Sequence, residues 1–226
     1  MIVHDCDQNS PEWYAVKVGI SSASSFKDIL AEGKGLTRKA YMHRLAAERL
    51  TGEFSETYSN GYMEGGHAVE DEIRNTYAFL HDAEPSRVGF VTLDDGSAGC
   101  SPDSLIGEAG GLEIKSALPN LVVGYIEADR FPAEHKAQVQ GTLWITGREW
   151  WDIAIGPRAG KGAEARIATG VPYFFKRAFR DDAYIATLAA EVARFNDELA
   201  ALVERIRRYG EPAPTLREQL ERSAAA

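Results

Sequence analysis

Residues 99–116, GCSPDSLIGEAGGLEIKS, constrain this chain more than any other stretch. They place Ser101-Pro102-Asp103, nine further residues, then Glu113-Ile114-Lys115. Residues 103–106 and 112–116 read as short strands, and Glu108-Ala109-Gly110-Gly111 as the turn between them. Side chains on a strand alternate between its faces. Glu113 and Lys115 therefore share one face, Ile114 turns to the core, and the Gly-Gly turn returns the chain beside Asp103. Two carboxylates and a lysine at one sheet edge are electrostatically poor without a task. A hard divalent cation such as Mg²⁺ takes oxygen ligands and keeps several waters. Asp103 and Glu113 are the candidate ligands, with the Ile114 peptide carbonyl as a further one. A metal lowers the pKa of bound water, and a lysine can orient that water or balance phosphate charge. Any solvated strand can carry Glu-x-Lys; the Ser-Pro-Asp at this spacing sets this one apart.

The remaining chain predicts the scaffold. Ser10 and Pro11 open a helix over 10–19 that Gly19 closes. Further helices are expected over 24–32, 37–50 and 62–81, the last with the apolar stripe Val69, Ile73, Tyr77 and Leu80. From Pro85 the period changes to strands near 88–93, 98–100, 103–106 and 112–116. A helix over 133–146, strands at 150–155 and 171–178, and a long helix over 181–208 complete the order. That is an α/β chain with a central mixed sheet flanked by helices. Residues 1–210 read as one domain and 211–226, with Pro212, Pro214 and a terminal alanine run, as a flexible tail.

Composition narrows the classes. No apolar run approaches the roughly 18–20 residues that cross a bilayer, and the acidic N-terminus is no signal peptide. Two cysteines, Cys6 and Cys100, make neither a disulfide framework nor a four-thiolate cluster, so a reduced cytoplasmic protein is expected. A net charge of −9 argues against a protein that coats DNA generally. It does not argue against a nuclease, whose site needs clustered carboxylates.

Glu70 lies beside Val69, at the rim of the apolar stripe, where a helix can lend a carboxylate to a sheet. Gln138 and Gln140 stand about 200° apart on a helix, so only one can face a metal centre. His135 and Gln138, at i and i+3, share a face. Residues 156–162, GPRAGKG, have three residues between the first glycines and no Ser/Thr after the lysine, so they are a flexible basic loop rather than a P-loop. Trp13, Trp144, Trp150 and Trp151 fall in apolar runs and are expected in the core or at an interface rather than as base-stacking platforms.

Ser101-Pro102-Asp103…Glu113-Ile114-Lys115 resembles the PD-(D/E)xK nuclease motif. With Lys17-Val18-Gly19-Ile20-Ser21-Ser22-Ala23-Ser24, Gly66-His67-Ala68-Val69-Glu70, Ala137-Gln138-Val139-Gln140 and Leu143-Trp144-Ile145-Thr146 in order, the chain resembles the YqaJ-type viral recombinase family, that of bacteriophage lambda exonuclease, over roughly residues 10–155. The resemblance implies a restriction-endonuclease-like fold and a Mg²⁺-dependent 5′-to-3′ exonuclease, with Mn²⁺ able to substitute. Such an enzyme degrades one strand of linear double-stranded DNA, releases mononucleotides and leaves a 3′ overhang for strand annealing. It further implies Glu70 at the metal site, Gln138 as the active-site glutamine, and Lys17, Ser24 and Ser101 around the DNA 5′ phosphate. Met63 falls where the family places an apolar wedge for the duplex end. A ring-shaped homotrimer and a single-strand annealing partner are implied in the same way. The chain departs from the best-known member at two of these positions, carrying Lys17 for an arginine and His135 for a tyrosine. That departure leaves three expectations for His135: a contact to DNA phosphate, help with proton transfer, or a solvated surface histidine. The rival expectations are a PD-(D/E)xK endonuclease of restriction or junction-cutting type, and a non-catalytic DNA-end binding module.

Overall fold

The computed structural model describes residues 1–31, 36–55 and 61–211, and of residues 61–68 the backbone alone. The helices are α1 (Pro11–Lys17), α2 (Phe26–Ile29), α3 (Leu36–Thr51), α4 (Gly61–His81), α5 (Pro119–Ala128), α6 (Lys136–Thr146) and α7 (Asp182–Arg207). The strands are β1 (Ile2–His4), β2 (Ser21–Ser22), β3 (Pro85–Ser86), β4 (Phe90–Thr92), β5 (Ala98–Cys100), β6 (Ser104–Ile106), β7 (Gly110–Ala117), β8 (Trp150–Ala159), β9 (Arg166–Ile167) and β10 (Phe174–Phe179).

The larger sheet runs β10-β8-β7-β6-β3, with β9 pairing β8 off this path. Strands β7 and β8 are parallel over Gly110↔Trp150 to Ala117↔Pro157, while β6–β7 and β8–β10 are antiparallel. The sheet is therefore mixed, as expected. A smaller sheet, β1-β4-β5-β2, was not foreseen as a separate unit. It forms because β1 pairs with β4 across nearly ninety residues of sequence, a contact no local pattern announces.

Alternation along β7 divides the surroundings. Leu112 and Ile114 pack with Val69, Ile73 and Tyr77 of α4. On the adjacent strand, Ile153 and Ile155 point the other way, to Val122 of α5, and Trp151 meets Val139 and Leu143 of α6. Glu113 and Lys115 pair with Ile153 and Ile155, on the face that α5 and α6 cover. The other large cluster joins α2, α3, α6 and α7 to β4 and β5 through residues such as Phe26, Tyr41, Val91 and Phe195.

Five features depart from the sequence expectations. Gly110 and Gly111 lie inside β7 rather than in the turn, because the rings of Trp150 and Trp151 occupy the space their side chains would need. The turn is one step earlier, where Gly107 has φ of +52°. Helix α5 was not anticipated: PNLVVGYIEA keeps apolar residues such as Leu121 and Val123 on its exposed side, so its apolar positions do not mark the face that packs. Residues 156–159 continue β8, and the expected flexible loop is there a strand with buried Arg158 bonded to Ser116 Oγ at 3.1 Å and Gly160 O at 2.8 Å. Leu80 is 57% exposed, so the α4 stripe ends at Tyr77. The helix expected over 24–32 is the four-residue α2. No described helix is long and apolar enough to cross a membrane. Residues 212–226, most of the expected tail, and the Met63 side chain lie outside the described residues.

Candidate active site

The β6–β7 hairpin and α6 assemble the central group. Lys115 Nζ lies 2.5 Å from Glu113 Oε1, and Gln138 Nε2 donates to the same oxygen at 2.6 Å. Glu113 is only 2% exposed, so both donors answer a carboxylate that water scarcely reaches. Asp103, just ahead of β6, accepts the Ile114 N–H through Oδ2 at 2.5 Å. That bond ties its carboxylate to the peptide between Glu113 and Lys115. Gln140 turns away, as the helical spacing predicts: it donates to Phe179 O at 2.8 Å and accepts from Asp181 N at 2.9 Å.

The charges are strongly coupled. Burial, then the charge of Glu113, pushes the Asp103 carboxyl well above the usual range; Glu70 adds to this and Lys115 opposes it. Burial alone would lower Lys115, but Glu113, Asp103 and Glu70 together hold it above its ordinary value, so its ammonium is fixed. Burial, followed by the charges of Lys115 and Lys27, keeps His135 below its ordinary value despite Glu113 and Glu134. His135, Gln138 and Lys115 line one cavity of ≈ 270 Å³, together with Ser24, Lys27 and Glu134.

Glu70 approaches from α4, which covers the opposite face of the sheet. Its Oε1 receives Arg74 Nη2 at 2.5 Å, and its charge still reaches Asp103 and Lys115. Arg74 also donates to Ser104 Oγ at 3.0 Å, to Asp103 O at 3.4 Å, and to the Asp71 carboxylate. It is the clamp between α4 and β6, and sequence reading missed it. The signal was present: Arg74 stands i+4 from Glu70 and i+3 from Asp71.

Among the described residues, no three His, Cys, Asp or Glu side chains converge as a complete cage. Asp103 and Glu113 nonetheless fit a hard divalent cation, since Mg²⁺ is typically held by one or two carboxylates plus waters and substrate oxygens.

The second cluster surrounds Lys17. Its Nζ sits 3.3 Å from the Trp13 ring centroid, with Phe54 and Phe90 at 5.6 and 5.8 Å. Trp13 Nε1 donates to Ser101 Oγ at 3.1 Å, so Ser101 and Lys17 share one aromatic wall. Ser24 Oγ lies 3.3 Å from Ser22 Oγ at the cavity rim. Burial, then the nearby Arg44 cation, lowers Lys17 to about 8, with Glu48 partly offsetting. Of the four tryptophans, Trp13 and Trp151 are buried. Trp150 carries Arg177 over its ring at 3.6 Å.

The family model of the YqaJ-like viral recombinase domain matches residues 12–149, a span that holds every site residue from Lys17 to Gln138. Among solved structures, the alkaline exonuclease LHK-Exo from Laribacter hongkongensis is 30% identical, with a TM-score of 0.77 over 88% of this chain and 97% of that one. LHK-Exo in complex with dAMP gives 31% identity and a TM-score of 0.78 over the same shares. A phage related exonuclease from Haemophilus somnus 129PT shares the fold, at 14% identity and a TM-score of 0.63, over 83% of this chain and 96% of that one. No curated protein matches.

Proposed function

Because the chain belongs to the YqaJ-like viral recombinase family, we propose that it is a Mg²⁺-dependent exonuclease that degrades one strand of linear duplex DNA from its 5′ end. The observation that carries this reading is the joining of Asp103, Glu113, Lys115 and Gln138 through the β6–β7 hairpin and α6. LHK-Exo, named an alkaline exonuclease, supports it further.

Asp103, Glu113 and the Ile114 carbonyl would hold the ion, with Glu70 contributing, and Mn²⁺ would substitute for Mg²⁺. When bound, the ion acidifies water and offsets charge on the phosphate. Lys115 and Gln138, both converging on Glu113 Oε1, position the attacking water for displacement of the 3′ oxygen. Lys17, Ser24 and Ser101 grip the 5′ phosphate. Repetition releases mononucleotides and leaves a 3′ single strand for an annealing partner. A homotrimeric ring is part of the same proposal. Leu121 and Val123, exposed on α5, are apolar surface that a neighbouring subunit can cover.

The test is digestion of linear 5′-phosphorylated duplex beside covalently closed circular DNA, with Mg²⁺ or EDTA. Loss of the linear substrate alone, and only with Mg²⁺, is expected. Cutting of closed circles would instead identify an endonuclease, and digestion in EDTA would remove the metal.

The Lys17 grip predicts a pH signature. The end phosphate is fully ionised above its second pKa of about 6, so Lys17 is the titrating partner. With its value lowered to about 8, the ammonium is present below that pH and lost above it. The ratio of kcat/KM for 5′-phosphate over 5′-hydroxyl ends, which reports the free enzyme, should fall as pH rises through about 8. Taking the ratio cancels pH effects on the hydrolytic step itself. Lys17→Arg, always charged, should flatten it. A wild-type ratio that stays constant across this range removes Lys17 from the phosphate grip.

A further inference from the structure

We infer that Lys27 is a DNA-binding residue that holds a phosphate of the digested strand in the cavity leading to Lys115. The inference rests on the exonuclease reading and adds a residue to it. Lys27 lies on α2, one turn beyond Ser24, and lines the ≈ 270 Å³ cavity that also contains Ser24, Glu134, His135, Gln138 and Lys115. Ser24 carries the part of that lining assigned to the 5′ phosphate, and Lys115 with Gln138 the part assigned to hydrolysis. A strand that engages both runs along the lining that Lys27 shares.

Its electrostatics favour an anion. Lys115 is neutralised by Glu113 at 2.5 Å. Glu134, the other carboxylate lining the cavity, accepts the Tyr125 hydroxyl at 2.8 Å. Among the described residues no carboxylate forms an ion pair with Lys27, which stands exposed at the rim. The charge of Lys27 is nevertheless felt at His135 across the cavity. Two ammonium groups and an imidazole thus border a space reached from solvent, and the cation without a carboxylate partner is the one nearest Ser24 in sequence. A phosphodiester supplies the missing counter-charge, because ammonium–phosphate bonds are charge-assisted.

The experiment measures steady-state digestion of 5′-phosphorylated linear duplex by wild type, Lys27→Ala, Lys27→Arg and a control, Arg205→Ala, on the exposed surface of α7. Salt is varied, and binding to the same duplex is followed in Ca²⁺. Lys27→Ala should raise KM roughly 3- to 10-fold and reduce the slope of log affinity against log salt by about 1. Lys27→Arg should recover most of both, and Arg205→Ala should change neither. A purely structural role would not move the salt slope. If wild type digests the duplex while Lys27→Ala keeps its KM and its slope, the Lys27 assignment is wrong and the exonuclease reading stands. If wild type fails to digest any linear duplex, both are overturned.

Discussion

Lys115→Ala is expected to lower single-turnover hydrolysis of 5′-phosphorylated linear duplex by about 10²–10⁴-fold, the range typical for loss of one group that handles a proton or orients water. Three carboxylates, Glu113, Asp103 and Glu70, keep the Lys115 ammonium charged at any working pH. Alanine removes that charge and, among the described residues, leaves buried Glu113 with Gln138 as its remaining side-chain donor. An incompletely satisfied buried group costs about 1–3 kcal/mol, so some loss of stability accompanies the loss of activity. The two effects separate by experiment. Thermal melts fix a temperature at which both proteins are fully folded, and rates are compared there. Lys115→Arg should recover stability, because the charge returns. It should not recover the rate, because a planar guanidinium cannot replace a point charge at Nζ. Lys115→Ala with more than roughly a tenth of wild-type hydrolysis would fall well outside the range for such a group and would break the assignment.

Much of this site was legible from spacing alone, and the reasons differ residue by residue. Strand alternation put Glu113 and Lys115 on one face, and the 2.5 Å contact between them follows from it. Helical geometry separated Gln138 from Gln140, and the two indeed serve different partners. Arg74 was legible in principle, since its bonds to Glu70 and Asp71 are local on α4; what hid it is that the same i,i+3 and i,i+4 spacing is common on exposed helix faces. Lys27 was hidden by a different cause. Its place in the cavity depends on α2 meeting α6, and no periodicity reports a helix–helix meeting across more than a hundred residues. Helix α5 escaped because an amphipathic pattern needs a polar face, and Leu121, Val123 and Ile126 remain exposed there. The smaller sheet escaped because β1 is three residues long and pairs only with distant β4.

Gly111→Ala is expected to be among the most destabilising single-methyl additions in the chain. Local signals read Gly110-Gly111 as a turn, yet both residues lie in β7, held there by packing against two rings of β8. A Cβ on Gly111 would stand 2.3 Å from Trp151 Cη2 and Cζ3. Real carbon contacts sit near 3.5–4.0 Å, so something must move. Trp151 cannot: it has no exposed surface and is enclosed by Val139, Leu143 and Ile185. The strain passes to β7 or to α6, the two elements that bring Glu113 to Gln138. Overpacking of a filled core costs typically about 1–3 kcal/mol, and the absence of slack around this ring favours the upper part of that range. The matched substitution Gly110→Ala meets Trp150 at 2.0 Å. Trp150 is only half-buried, so its ring can swing outward at the cost of its contact with Arg177. Urea denaturation should therefore rank Gly111→Ala below Gly110→Ala, although the second clash is the shorter. Trp151→Leu introduced with Gly111→Ala should return part of the loss, giving a coupling energy of roughly 1 kcal/mol or more in a double-mutant cycle. Strict additivity of the two substitutions would show that the ring is not what excludes a side chain at Gly111. Equal stability of the two alanine variants would show that burial of Trp151 does not anchor the strand that carries Glu113 and Lys115.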